Sequence, residues 1–177
     1  MIVNIVNKAL SFAVVGSQIF IVLGIFLFVF LKEKSQPLFR FLATNALKLA
    51  FLVALVAASG SLFYSEYAKF TPCFLCWFQR IFMYPLVIIF GIAVFKKDNR
   101  AFIYTLPLAV IGWLISFYHN YIFYQAIGST VCRVGESCIV PYVREFSYIT
   151  IPMMALTAFS LIIALALINK YYPFGKR

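Results

Sequence analysis

Charge is what this sequence has least of. Asp and Glu together number five in 177 residues, and charged residues of both signs make up 11%. A soluble domain is about a quarter charged and half apolar. Here 64% of residues belong to the apolar and aromatic set, and the mean hydropathy is +0.99. That scarcity excludes a water-soluble globule, and with it the disordered, collagen-like and coiled-coil classes. No apolar stretch alternates with period two, so barrel strands are excluded as well. Internal repeats and low-complexity linkers are also missing. The 15 Lys and Arg give a net charge of +10, which taken alone suggests nucleic acid. Basic loops flanking membrane helices account for it better. What remains is an all-α integral membrane protein.

Five apolar stretches, Leu10–Leu31, Phe41–Tyr64, Trp77–Phe95, Ala101–Phe123 and Tyr148–Asn169, are each long enough to cross a bilayer as a helix. The connectors Lys32–Arg40, Ser65–Pro72 and Lys96–Arg100 are short, which predicts antiparallel neighbours in a bundle. Lys8 precedes the first run as it would in a signal peptide. That run ends in Leu31-Lys32-Glu33-Lys34 without a small-residue cleavage site, so a retained helix is expected. Lys32, Lys34, Arg40, Lys96, Lys97, Arg100, Lys170, Lys176 and Arg177 lie in one set of loops and ends. Only Lys8, Lys69, Arg133 and Arg144 lie in the other. The richer side is expected to be cytoplasmic, with the N-terminus outside. Lys48, inside the second run, reads as a snorkelling side chain.

The four cysteines form two close pairs, Cys73-x-x-Cys76 at the mouth of the third span and Cys132-x5-Cys138 in the longest loop. Two spans separate the pairs, and two crossings return the chain to the same face. The charge distribution makes that face the outer one, an oxidising compartment. Thr71 suits a helix N-cap and Pro72 a first helical position, which predicts both sulfurs in the first turn of the third span. Unpaired N–H groups and the helix dipole stabilise a thiolate there. Arg80 follows Cys76 by four residues on the same helix face, where its cation can support a thiolate or snorkel to headgroups. The C-x-x-C also fits a static disulfide, or half of an all-thiolate zinc site completed by the second pair. In the second pair, Gly135 lies midway, where a tight reversal can bring the sulfurs together. A disulfide closing so short a loop gains little chain entropy, which suits exchange better than stapling.

Other residues have plainer readings. Tyr64, Tyr67, Trp77, Tyr118, Tyr121 and Tyr124 gather at the predicted outer interface as an aromatic belt. Pro85, Pro107 and Pro152 fall in three different spans and predict kinks.

The stretch Pro72-Cys-Phe-Leu-Cys-Trp-Phe-Gln-Arg-Ile-Phe-Met-Tyr-Pro-Leu86 resembles the signature of the DsbB/BdbC disulfide-formation family. Tyr118-His119 and Tyr148-Ile-Thr-Ile-Pro-Met-Met-Ala-Leu156 are similar too, and the short C-x5-C loop resembles the BdbC-like branch. The resemblance covers about Phe41–Asn169, its most specific part being C-x-x-C-W-F-Q-R. It implies a four-helix membrane bundle that reoxidises an extracytoplasmic DsbA-like thioredoxin-fold oxidase and reduces a membrane quinone, ubiquinone or menaquinone. By position, Cys132 would accept the partner's thiolate with Cys138 as its pair. Cys73 would exchange with Cys138, and Cys76 would face the quinone. Arg80 matches the family arginine that supports quinone binding. Gln79 neighbours it on what the helix register suggests is another face, and His119 sits at a depth from which it can reach a quinone carbonyl or simply the interface. The implied organisation is an extra N-terminal helix with a basic loop (1–40), the bundle (41–170) and a basic tail (171–177). That extra helix, a departure from the four-helix family, reads as a peripheral anchor or a partner-specific addition. Two other functions compete: a metal-binding or structural membrane protein, and a quinone reductase of vitamin K epoxide reductase type. In the latter the C-x-x-C follows the loop pair, the reverse of the order here.

Overall fold

The computed structural model describes residues 2–31, 35–125 and 141–172. Among them five helices are long and apolar enough to cross a membrane. They are α1 (Ile2–Phe30), α2 (Gln36–Leu62), α3 (Phe74–Lys96), α4 (Ala101–Gln125) and α5 (Ile151–Tyr171). A π-helical turn, Phe63–Tyr67, extends α2. Each expected span falls on one of these helices, and α1 begins well before Leu10.

In α2, α3, α4 and α5 each helix packs on its two neighbours, and α5 closes the ring against α2. Lipid is as apolar as a leucine side chain, so such a bundle is held by close packing at small residues and by interhelical hydrogen bonds. The sequence supplies both. Along α2, Ala43, Ala46, Ala50, Ala54 and Ala58 are buried at intervals of three and four residues, making a smooth face for α3 and α5. Along α4, Ala101, Thr105, Ala109, Gly112, Ser116 and Asn120 form a similar stripe. The fully buried Phe159 ring lies over Gly112, where a β-carbon would collide with it. The Trp113 indole donates to Ser160 Oγ at 2.9 Å, tying α4 to α5.

Pro85 and Pro107 are internal to α3 and α4. Pro152 instead occupies the first turn of α5 behind the N-cap Thr150, a position that needs no N–H donor, so the kink expected there is absent. Tyr67, Trp77, Tyr118, Tyr121 and Tyr124 are exposed, as a belt requires. Tyr64 departs from it and is buried. Lys48 is exposed on α2, as a snorkelling side chain should be. The extra helix α1 packs on α5.

Candidate functional site

α3 starts two residues later than Thr71-Pro72 suggests. Cys73 is itself the N-cap, in extended conformation, and its sulfur accepts the backbone N–H of Cys76 at 3.3 Å. Thr71 and Pro72 therefore precede the helix. The N-cap geometry turns Cys73 Sγ back over the first turn, 2.7 Å from Cys76 Sγ. Cys73 is buried, and Cys76 is half-buried. The hydrogen bond with Cys76, and then burial, push the Cys73 thiol above its ordinary range.

Arg80 does not snorkel. It is buried inside the bundle, where Nε donates to Ser61 Oγ and a terminal nitrogen donates to the Ser61 carbonyl, both at 2.9 Å. Its guanidinium carbon lies 5.2 Å from the centre of the Trp77 ring. Among the described residues no carboxylate pairs with it. A charge inside a bundle is retained where it has work to do on a ligand or a relay.

His119 and Gln79 meet each other between α4 and α3. His119 is almost fully buried rather than interfacial, with Nε2 3.7 Å from Cys73 Sγ and Nδ1 3.1 Å from the Gln79 amide nitrogen. With that amide donating, Nδ1 accepts, and the imidazole proton sits on Nε2 facing the sulfur. Gln79 belongs with the cysteines after all. Cys76, Gln79, Arg80 and Met83 follow the i, i+3, i+4, i+7 spacing of a single helix face.

That face forms one side of a cavity of about 330 Å³ beneath the C-x-x-C, lined also by α1, α2, α4 and α5. Cys76, Gln79, Arg80 and His119 line it, and Cys73 does not. The rest is chiefly aliphatic and aromatic, which suits a small-molecule site with a few convergent polar groups. Two residues that sequence reasoning did not single out for the site also line it, Tyr64 from the π-turn and Tyr84 from α3. Both hydroxyls are buried and have no hydrogen-bond partner among the described residues. A buried hydroxyl without a partner costs about 1–3 kcal/mol, a cost that an acceptor placed beside it would offset. In the sequence Tyr84 falls within the family-like stretch Pro72 to Leu86 and stands four residues from Arg80.

Cys73, Cys76 and His119 place their ligand atoms within 4.8 Å of one another, a soft-donor trio that could also hold a metal. Cys132 and Cys138 lie outside the described residues.

A helical membrane bundle with a C-x-x-C over an apolar cavity defines a membrane thiol protein. The comparisons narrow that class. The profile of the family "Disulfide bond formation protein DsbB" matches residues 43–169, and the chain belongs to that family. It is 50% identical over 117 residues to disulfide bond formation protein C of Bacillus subtilis (strain 168), which covers 64% of this chain and 84% of that protein. It is 46% identical over 132 residues, 72% of this chain and 88% of the relative, to probable disulfide formation protein C 1 of Bacillus anthracis. The SPbeta prophage-derived disulfide bond formation protein B of Bacillus subtilis (strain 168) is 42% identical over 120 residues, 67% of this chain and 81% of its own length. No solved structure matches.

Proposed function

We propose that the chain is a membrane thiol–disulfide oxidoreductase that reoxidises an extracytoplasmic DsbA-like thioredoxin-fold oxidase and passes the electrons to a membrane quinone. The observation that carries this reading is the cavity, where one sulfur of the C-x-x-C, Arg80 and the hydroxyl-bearing Tyr64 and Tyr84, which among the described residues have no carboxylate and no hydrogen-bond partner respectively, meet an apolar interior. A quinone offers two carbonyl acceptors on a flat apolar ring, which suits Tyr64, Tyr84 and Arg80. When bound it supplies an acceptor for two electrons and two protons.

The chain's own residues then have separate tasks. A partner thiolate attacks Cys132 of the Cys132–Cys138 disulfide, releasing Cys138 as a thiolate. The partner's second thiol displaces Cys132, so the partner leaves oxidised and the loop pair is left reduced. Cys138 attacks Cys73 of the Cys73–Cys76 disulfide, freeing Cys76, and Cys132 resolves the mixed disulfide to leave the C-x-x-C as a dithiol. That dithiol gives up two electrons and two protons as its disulfide reforms. Of its two sulfurs, Cys76 lines the cavity, beside Arg80. The Nε2–H of His119 faces Cys73 Sγ, where it steadies negative charge during exchange, while Gln79 orients the ring. Two spans lie between the pairs, and the basic loops lie opposite them, which supports a reading with both pairs on the extracytoplasmic face of a bacterial cytoplasmic membrane.

The test supplies a reduced thioredoxin-fold dithiol protein and follows quinone loss by absorbance. Turnover is expected in the wild type and absent in Cys76→Ser; wild-type turnover in Cys76→Ser would refute the assignment. A competing metal site at Cys73, Cys76 and His119 predicts instead stoichiometric bound metal and no quinone loss.

A further inference from the structure

Helix α1 lies outside the family match, yet it is not a plain lipid-facing anchor. Asn7 and Ser11 are buried, and Gln18 continues their face at a further seven residues. The Gln18 amide is held at both ends. Its nitrogen donates to Thr157 Oγ1 at 3.1 Å, and its oxygen accepts from the Tyr148 hydroxyl at 2.9 Å. The Phe12 ring meets Phe146 edge-on at 5.2 Å. Phe146 and Ser147 take left-handed backbone angles (φ 48° and 67°) in the reversal closed by Glu145 and Ile149. These contacts fix the rotation and depth of α1 against α5 and the segment before it.

That rotation turns another face toward the cavity. Leu10, Ala13, Val14 and Ser17 all line it, and their i, i+3, i+4, i+7 spacing is one helix face. Opposite them on α2 stand Ala57 and Gly60, which line it too. A β-carbon on Gly60 would come within 3.4 Å of Leu10 Cδ1, so α1 reaches across to the α2 rim. Ala13 on α1 with Ala57 and Gly60 on α2 make this side of the cavity an apolar slot of small residues.

We propose that α1 is a specificity-determining wall of the ligand chamber, and that the slot between α1 and α2 takes the isoprenoid tail of the quinone. The inference rests on the quinone reading above. A ligand with a flat ring bearing acceptors and a long hydrocarbon tail matches a chamber that is polar at one end and apolar along the α1 side.

The test measures equilibrium Kd by quenching of tryptophan fluorescence in the full-length protein. Two ligands are compared, a quinone with several isoprene units and the same ring without a tail. Val14→Phe and Ser17→Leu are expected to raise Kd for the tailed quinone at least tenfold and to leave the tail-less one within twofold. Ser17 donates only to Ala13 O in its own helix, at 2.7 Å, so Ser17→Leu decides the matter if Val14→Phe fails to fold. Val22→Phe, on the exposed side of α1, is the control that should change neither. Equal changes for both ligands, or none for either, would overturn the role of α1 while the quinone reading stands. A wild type that binds neither quinone would overturn both.

Discussion

Tyr64→Phe and Tyr84→Phe separate a ligand-binding role from a structural one, because the two effects have opposite signs. Each hydroxyl is buried in the cavity wall without a partner among the described residues. In the ligand-free protein it contributes an unsatisfied group worth about 1–3 kcal/mol of destabilisation. Replacing Tyr by Phe keeps the ring and removes that group, so each variant should be as stable as the wild type or more stable by about 1 kcal/mol. A bound quinone carbonyl accepting from the hydroxyl gains a net 0.5–1.5 kcal/mol, so losing it should raise Kd by about 2- to 12-fold per tyrosine. The double variant should approach the product of the single effects if the hydroxyls serve separate carbonyls, and fall short of it if they share one. Thermal unfolding in detergent, with and without quinone, reads both quantities on one sample. Variants that unfold earlier without ligand and bind quinone as tightly as the wild type would refute the reasoning, since the hydroxyls would then be structural.

Gly112→Ala should cost about 1–3 kcal/mol of bundle stability, because its methyl overpacks against the buried Phe159 ring; chemical denaturation with Gly112→Ala beside Gly16→Ala checks it, Gly16 having open space around it. Cys138→Ser mixed with the oxidised partner should accumulate a mixed disulfide, the Cys132 thiolate attacking the partner's disulfide and releasing its second sulfur as a thiolate; the adduct is visible on a non-reducing gel and lost on reduction. A Cys138→Ser protein that forms no such adduct while the wild type turns over would reassign the entry cysteine.

The five helices, their order and the C-x-x-C at the head of the third span were legible in the sequence, because length and hydropathy decide membrane spans and Cys73 and Cys76 are three residues apart. The pairings across helices were not. Arg80 meets Ser61, 19 residues away, and His119 meets Gln79, 40 residues away, and nothing local in a uniformly apolar helix says which face meets which neighbour. Arg80 was open between snorkelling and chemistry for that reason, and the neighbouring helix decides it by offering two acceptors. Gln79 reads as pointing away from Arg80, because consecutive residues point about 100° apart, yet it lies three residues from Cys76 and shares that face. Tyr64 looks like belt aromatic by depth alone; the π-turn carries it inward. The part played by α1 had one sequence clue, the polar series Asn7, Ser11 and Gln18 on one side of an otherwise apolar helix.

The central claim is that electrons leave the Cys73–Cys76 pair for a quinone in the cavity. An anaerobic single turnover tests it most directly. Fully reduced protein is mixed with one equivalent of quinone, and lost thiols and quinol formed are counted at the same times. The account predicts one quinol per two thiols lost from Cys73 and Cys76, and no quinol from Cys76→Ser. Thiols that persist in the presence of excess quinone, with no quinol formed, would contradict it.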